Sequence, residues 1–201
     1  LELLWAFILI FTIDSIAPGP AVAMVMSRGA SVGLAHTLPL IAGLVIGDLL
    51  LFVMALIGLV TLVKSFGPLF FLIKWIGIGY LLYLAYSMWN AKTVDLEDTT
   101  ARGSGWRSFA VAILLPLGNP KAVGFYVALL PAFMDVEQLT LSTALNFSLS
   151  IVVIWSAVLI MYTALAEQGS IRLEFSNAQK WLNRCSAGAM LGAAGTVALR
   201  D

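Results

Sequence analysis

Charge is scarce in this sequence of 201 residues: Asp, Glu, Lys and Arg together make up 11% of it, where a soluble domain carries about 25%. Hydrophobic residues make up 61%, and the mean hydropathy is +0.98. A soluble domain of this length needs far more polar residues to cover its surface, so the apolar excess must face lipid. A water-soluble enzyme is thereby excluded. Neither sign of charge prevails, with 11 Lys+Arg against 11 Asp+Glu. No basic run is present to track a phosphate backbone, which excludes nucleic acid as a partner. Cysteine is nearly absent. Cys185 alone makes no internal disulfide, no Cys-x-x-Cys redox pair and no zinc ligand set. The one histidine, His36, lies close to an expected helix start, where it reads as a polar rim residue and not as a ligand. No cofactor or metal is expected.

The few charges mark where the chain leaves the membrane, because a helix needs about 20 apolar residues to cross the hydrocarbon core. Between Glu2 and Arg28 the only charge is Asp14, between His36 and Lys64 it is Asp48, between Lys64 and Lys92 it is Lys74, and between Arg107 and Asp135 it is Lys121. The spacing predicts an all-α membrane protein with six spans near 2–26, 37–63, 68–90, 108–131, 140–165 and 181–199. The first segment lacks a basic n-region and its apolar run is longer than a signal peptide's, so it is read as a span, although the sequence opens at Leu1 without Met. The short loops place Arg28, then Lys92, Arg102 and Arg107, then Arg172, Lys180 and Arg184 on one side. The positive-inside rule makes that side cytoplasmic, with both termini outside. Trp5, Trp75, Trp89, Trp106 and Trp181 fall near span ends, as an interfacial belt requires. Lys74 and Arg184 are close enough to an end to snorkel.

Six spans invite a search for internal symmetry. The first span is interrupted by Pro18-Gly19-Pro20 and the fourth by Gly118-Asn119-Pro120-Lys121, and the bodies of the other spans are read as free of proline. Three spans per half is an odd number, so a repeated half enters the membrane from the opposite face. The chain therefore reads as a single membrane domain over 1–201, with inverted halves about 1–90 and 108–201 and a cytoplasmic linker about 91–107. Each proline removes a backbone donor and clashes with the carbonyl four residues earlier, and the freed polar groups cannot be left against hydrocarbon. The breaks must be buried in protein or line a wet cavity. Amides at a half-helix start suit a substrate carboxylate, and freed carbonyls suit an ammonium. Pro18, Gly19, Pro20, Asn119, Pro120 and Lys121 are the candidate substrate-binding residues. The plainer reading, a packing kink, is weakened by finding breaks in corresponding helices of both halves.

Asp14, Asp48 and Lys121 lie roughly 18–22 Å from their helix starts at about 1.5 Å per residue, too deep for a carboxylate to reach water from a ~30 Å core. An ionised carboxylate there either pairs, for example with Lys121, or takes up a proton. A group able to switch between those states is what a proton-coupled carrier requires, so Asp48 and secondarily Asp14 are the candidate proton-coupling residues. A static Asp–Lys pair holding helices together is the competing account. Asp48 follows the Gly43-x-x-x-Gly47 face, which predicts a side chain turned toward a helix interface; Gly188-x-x-x-Gly192 offers a second such face.

These motifs together resemble one family. Ala17-Pro18-Gly19-Pro20, Gly29 and Gly33, Gly43-x-x-x-Gly47, Leu72-Ile73-Lys74 with Gly77-x-x-Tyr80-Leu81, Asn119-Pro120-Lys121-Ala122 with Phe125 and Pro131-x-Phe133, and Arg184 with Gly188 look like the lysine-exporter and homoserine-exporter (LysE/RhtB) family over nearly the whole chain. The resemblance implies a bacterial inner-membrane exporter of amino acids or small amine-bearing metabolites, driven by proton motive force and dimeric. Two departures bear on the cargo: Ala21 stands where the family is often polar, and Asp14 adds a carboxylate one turn before the break. Other readings stay open. A heavy-cation exporter of related architecture would want soft or clustered ligands. A thiol-electron carrier would want paired cysteines. An intramembrane aspartyl protease would use Asp14 and Asp48, but Ile46-Gly47-Asp48 lacks the rest of the usual signature.

Overall fold

The computed structural model describes residues 2–17, 19–65, 105–133 and 140–168. It also describes 75, 78, 79, 82, 83, 85, 86, 89 and 90 of the third expected span and 184, 187, 188, 191, 192, 194 and 195 of the sixth. Pro18, Lys74, Trp181, Cys185, most of the 91–107 linker and the remainder of spans three and six lie outside the described residues. The five continuous elements are α1 (Glu2–Ile16), α2 (Pro20–Ser65), α3 (Gly105–Gly118), α4 (Pro120–Phe133) and α5 (Leu141–Glu167). No strand occurs among the described residues. Pro20–Thr61 and Leu141–Glu167 are each long and apolar enough to cross a membrane. Trp106–Gly118 and Lys121–Leu130, bent by 54° at the break between them, together make a third candidate span. The architecture is that of an all-α, multi-pass membrane protein.

α2 is 46 residues long, about 69 Å at 1.5 Å per residue and more than twice the hydrocarbon thickness. It is two helices joined end to end at Gly33, whose φ of 78° and ψ of 171° belong to a region open essentially to glycine alone. The expected boundaries at 26 and 37 leave a ten-residue loop; instead both helices run up to a one-residue turn. The turn is held from outside, because the Glu167 carboxylate at the end of α5 accepts from Leu34 N at 3.1 Å and so caps the second helix. Pro39 lies inside that second helix, contrary to the expectation that only spans one and four contain proline in their bodies. It stands in the second turn after Gly33, where it removes the ladder bond to the Ala35 carbonyl. α5 opens on an N-cap, with Thr140 Oγ1 accepting from Thr143 N at 3.1 Å.

The Gly43/Gly47 face packs within the bundle. A Cβ on Gly43 would lie 2.7 Å from Ala112 Cβ, and one on Gly47 would run into the backbone carbonyl of Ile113, so α2 and α3 cross with their backbones in close contact. Next to this crossing, Val25, Met26, Leu40, Leu44, Leu159 and Tyr162 form one buried cluster. A second cluster is aromatic and joins four elements, with Phe7 and Phe11 of α1, Phe52 of α2, Phe125 and Tyr126 of α4 and Phe147 of α5. Outward positions such as Leu9, Met54, Ile57 and Leu149 are exposed, as lipid-facing residues should be. Trp5, Trp75, Trp89 and Trp106 are exposed as well. The Arg184 guanidinium sits 5.3 Å over the Trp89 ring, placing these points of the third and sixth expected spans side by side.

Candidate functional site

The two breaks use one local device. α2 begins with Pro20, and its first turn closes from Ala23 N to Gly19 O at 2.9 Å; α4 begins with Pro120, and its first turn closes from Val123 N to Asn119 O at 3.0 Å. Proline at the first helical position surrenders a donor that has no intrahelical partner there, and its φ is already helical. Asn119 caps α4 in addition, its Oδ1 accepting from Lys121 N at 3.0 Å. The carbonyls freed at the end of α1 are recovered by side chains from other helices. The Tyr162 hydroxyl donates to Ile16 O at 2.7 Å, and Lys121 Nζ to Asp14 O at 3.3 Å. This is how irregular backbone survives at membrane depth.

Both helix starts open onto the same cavity of about 60 Å³, enough for a few waters. Its wall includes Asp14 and Ser15 of α1, Gly19, Pro20, Ala21, Val22 and Asp48 on or beside α2, Asn119 and Lys121 at the α4 start, and Trp155 of α5. Of the candidate residues, Gly19, Pro20, Asp14, Asp48, Asn119 and Lys121 thus meet in one place. Pro120 contributes the first residue of α4, and Pro18 is outside the described residues.

The cavity gives each carboxylate its own partner. Lys121 Nζ lies 3.0 Å from Asp14 Oδ1, so Asp14, expected to be secondary, takes the cation. Asp48, 7% exposed, instead accepts from the Tyr126 hydroxyl at 2.6 Å. α4 explains both contacts: its first turn faces α1, and Tyr126, five residues on, faces α2. The Tyr126 ring is fixed by aromatic neighbours, edge-on to Phe52 at 5.8 Å and to Phe125 at 5.4 Å between centroids. One helix therefore carries the partners of both intramembrane carboxylates.

Three residues in this constellation escape a reading based on charge and proline. Tyr126 is the only hydroxyl in the run from Ala122 to Leu130, and Trp155 is the one tryptophan of the six away from a span end; each carries a signal, a polar tip at mid-membrane. Tyr162 likewise carries a polar tip on an aromatic ring, two turns nearer the end of α5. His36 is exposed, with Nδ1 3.1 Å from Val32 O. Among the described residues no three His, Cys, Asp or Glu side chains gather where they could hold a metal ion. What the cavity offers is an ion pair, a buried carboxylate with a neutral partner, and two helix N-termini. These groups can receive a small molecule bearing both charges, the ammonium on carboxylate and the carboxylate on amides and Lys121.

Comparison with known proteins identifies the family. The description "LysE type translocator" matches residues 12–201. A membrane protein of Vibrio cholerae is 32% identical over 188 residues, covering 93% of this chain and 92% of its own length. The homoserine/homoserine lactone efflux protein of Salmonella typhimurium is 30% identical over 181 residues, covering 90% of this chain and 88% of its own. A membrane protein of Synechocystis is 30% identical over 189 residues. No solved structure matches the chain significantly. With its broken helices, its intramembrane charges and a match over nearly its full length, the chain belongs to the LysE type translocator family and is a transporter, not an enzyme.

Proposed function

We propose that this protein exports a small zwitterionic amino acid, or a close relative of one, across the bacterial inner membrane in exchange for protons. The observation that carries the reading is the single cavity in which two proline-started half-helices, the Asp14–Lys121 pair and Asp48 meet. The cargo's ammonium competes with Lys121 for Asp14, which frees the Lys121 cation for the cargo's carboxylate beside the amides of the α2 and α4 starts. Asp48 alternates between a carboxylate that accepts from Tyr126 and a protonated acid, and so couples the proton to the cargo. The efflux activity named for the Salmonella relative supports an amino-acid cargo. The chain forms six spans in one domain, as two inverted halves with the termini outside, and the rocking of one half against the other alternates access to the cavity. Dimerisation is carried by the family resemblance.

Cells overproducing the protein should gain resistance to a toxic amino acid or analogue. Purified protein in liposomes should exchange at least one labelled amino acid out of a panel of the twenty and their common derivatives. Failure on the whole panel, together with conduction of a metal cation, would replace this reading with the heavy-cation one.

A further inference from the structure

Trp155 stands apart from the rest of the cavity wall. It lies at the middle of α5, and its ring packs against both buried clusters at once, so its position is set by packing from two sides. It lines the cavity shared by Asp14, Asp48, Asn119 and Lys121. Yet its Nε1–H is buried and has no hydrogen-bond partner, the one buried side-chain donor in that condition among the described residues. A covered donor with no acceptor destabilises the state that contains it, and one way a native structure accommodates it is another state that satisfies it. In a carrier that other state is the loaded one, since a ligand shifts a conformational equilibrium only through contacts that differ between states. An indole N–H is uncharged and can only donate. The charged ends of a zwitterion already have charged or dipolar partners in Asp14, Lys121 and the α2 and α4 starts. A neutral donor set among apolar side chains is suited to a neutral oxygen.

Resting on the amino-acid export proposed above, we infer that Trp155 is a specificity-determining residue whose Nε1–H donates to a neutral side-chain oxygen of the cargo. A site that hydrogen-bonds such an oxygen rejects the analogue lacking it, because the protein's own donor is then left unpaired.

The test is exchange in proteoliposomes by the full chain and by Trp155→Phe, with homoserine and 2-aminobutyrate, which has the same carbon chain without the hydroxyl, competing against a labelled cargo. Phenylalanine keeps an aromatic ring on the cavity wall and removes the N–H. The wild type should prefer homoserine by about tenfold or more, and Trp155→Phe should lose that preference by weakening homoserine alone. Unchanged 2-aminobutyrate competition in the variant then also reports a folded site. Wild-type preference retained in Trp155→Phe, or equal weakening of both competitors, would assign the indole to packing and overturn the inference while leaving amino-acid export standing. If the wild type exchanges no amino acid, the export reading fails first and this inference falls with it.

Discussion

Asp48 and Asp14 carry the same charge and line the same cavity, but they have different neighbours. Asp14 faces a cation at 3.0 Å and Asp48 a neutral hydroxyl at 2.6 Å. A carboxylate whose direct partner is a neutral hydroxyl can change state without stranding a charge. Asp48→Asn keeps the volume and an acceptor for Tyr126 but cannot ionise. It should retain cargo exchange and lose accumulation driven by a pH gradient; gradient-driven uptake equal to wild type would remove Asp48 from the coupling. Tyr126→Phe leaves a buried acceptor on Asp48 unpaired, which should lower stability by about 1–3 kcal/mol in denaturant titration of purified protein. It should also reduce gradient-driven uptake more than exchange. The sequence alone identifies both carboxylates and Lys121, because charge at mid-membrane is rare enough to stand out. It does not identify who pairs with whom, since Lys121 is remote in the chain from both carboxylates, and only the direction of α4 sends it to Asp14. Tyr126 and Trp155 pass unnoticed for the opposite reason: they are grouped with the hydrophobic residues and carry no charge.

Elements here are joined by backbone proximity as much as by side-chain packing. Gly47→Ala would place a methyl group into the Ile113 carbonyl, and neither backbone can shift without moving a whole helix. Overpacking of this kind costs about 1–3 kcal/mol, so a lower thermal midpoint and a lower yield of folded protein are expected. Gly58, with nothing within 4 Å among the described residues, should accept alanine without loss. Gly33→Ala acts through conformation instead. Its positive φ is strained for any residue with a Cβ, by about 1–3 kcal/mol, and that Cβ would lie 2.8 Å from the Glu167 carboxylate that caps Leu34. Proteolysis at the turn should therefore quicken in Gly33→Ala. Proline and charge spacing reveal both broken helices from sequence, but the turn at Gly33 stays hidden. Glycine is common in membrane helices, and only the backbone angles distinguish this one from Gly29, which is in ordinary helix.

At the scale of the molecule, the two helix breaks are the source of the cavity. Pro20 and Pro120 each start a half-helix at the cavity, which one cation and two carboxylates supplied by α1, α2 and α4 also line. A carrier needs such a place at the meeting point of its two halves, where a small rotation changes which side the cargo sees. If the Asp14–Lys121 pair were only a staple between helices, removing its cation would cost stability and leave the route intact. The most direct measurement is therefore counterflow of a labelled amino acid in proteoliposomes by the wild type and by Lys121→Met, at matched amounts of folded, membrane-inserted protein. Methionine spans the length of the lysine without its charge. The expected result is rapid exchange by the wild type and exchange at background by Lys121→Met; normal exchange by the variant, or none by the wild type, would contradict the assignment of this cavity as the amino-acid route.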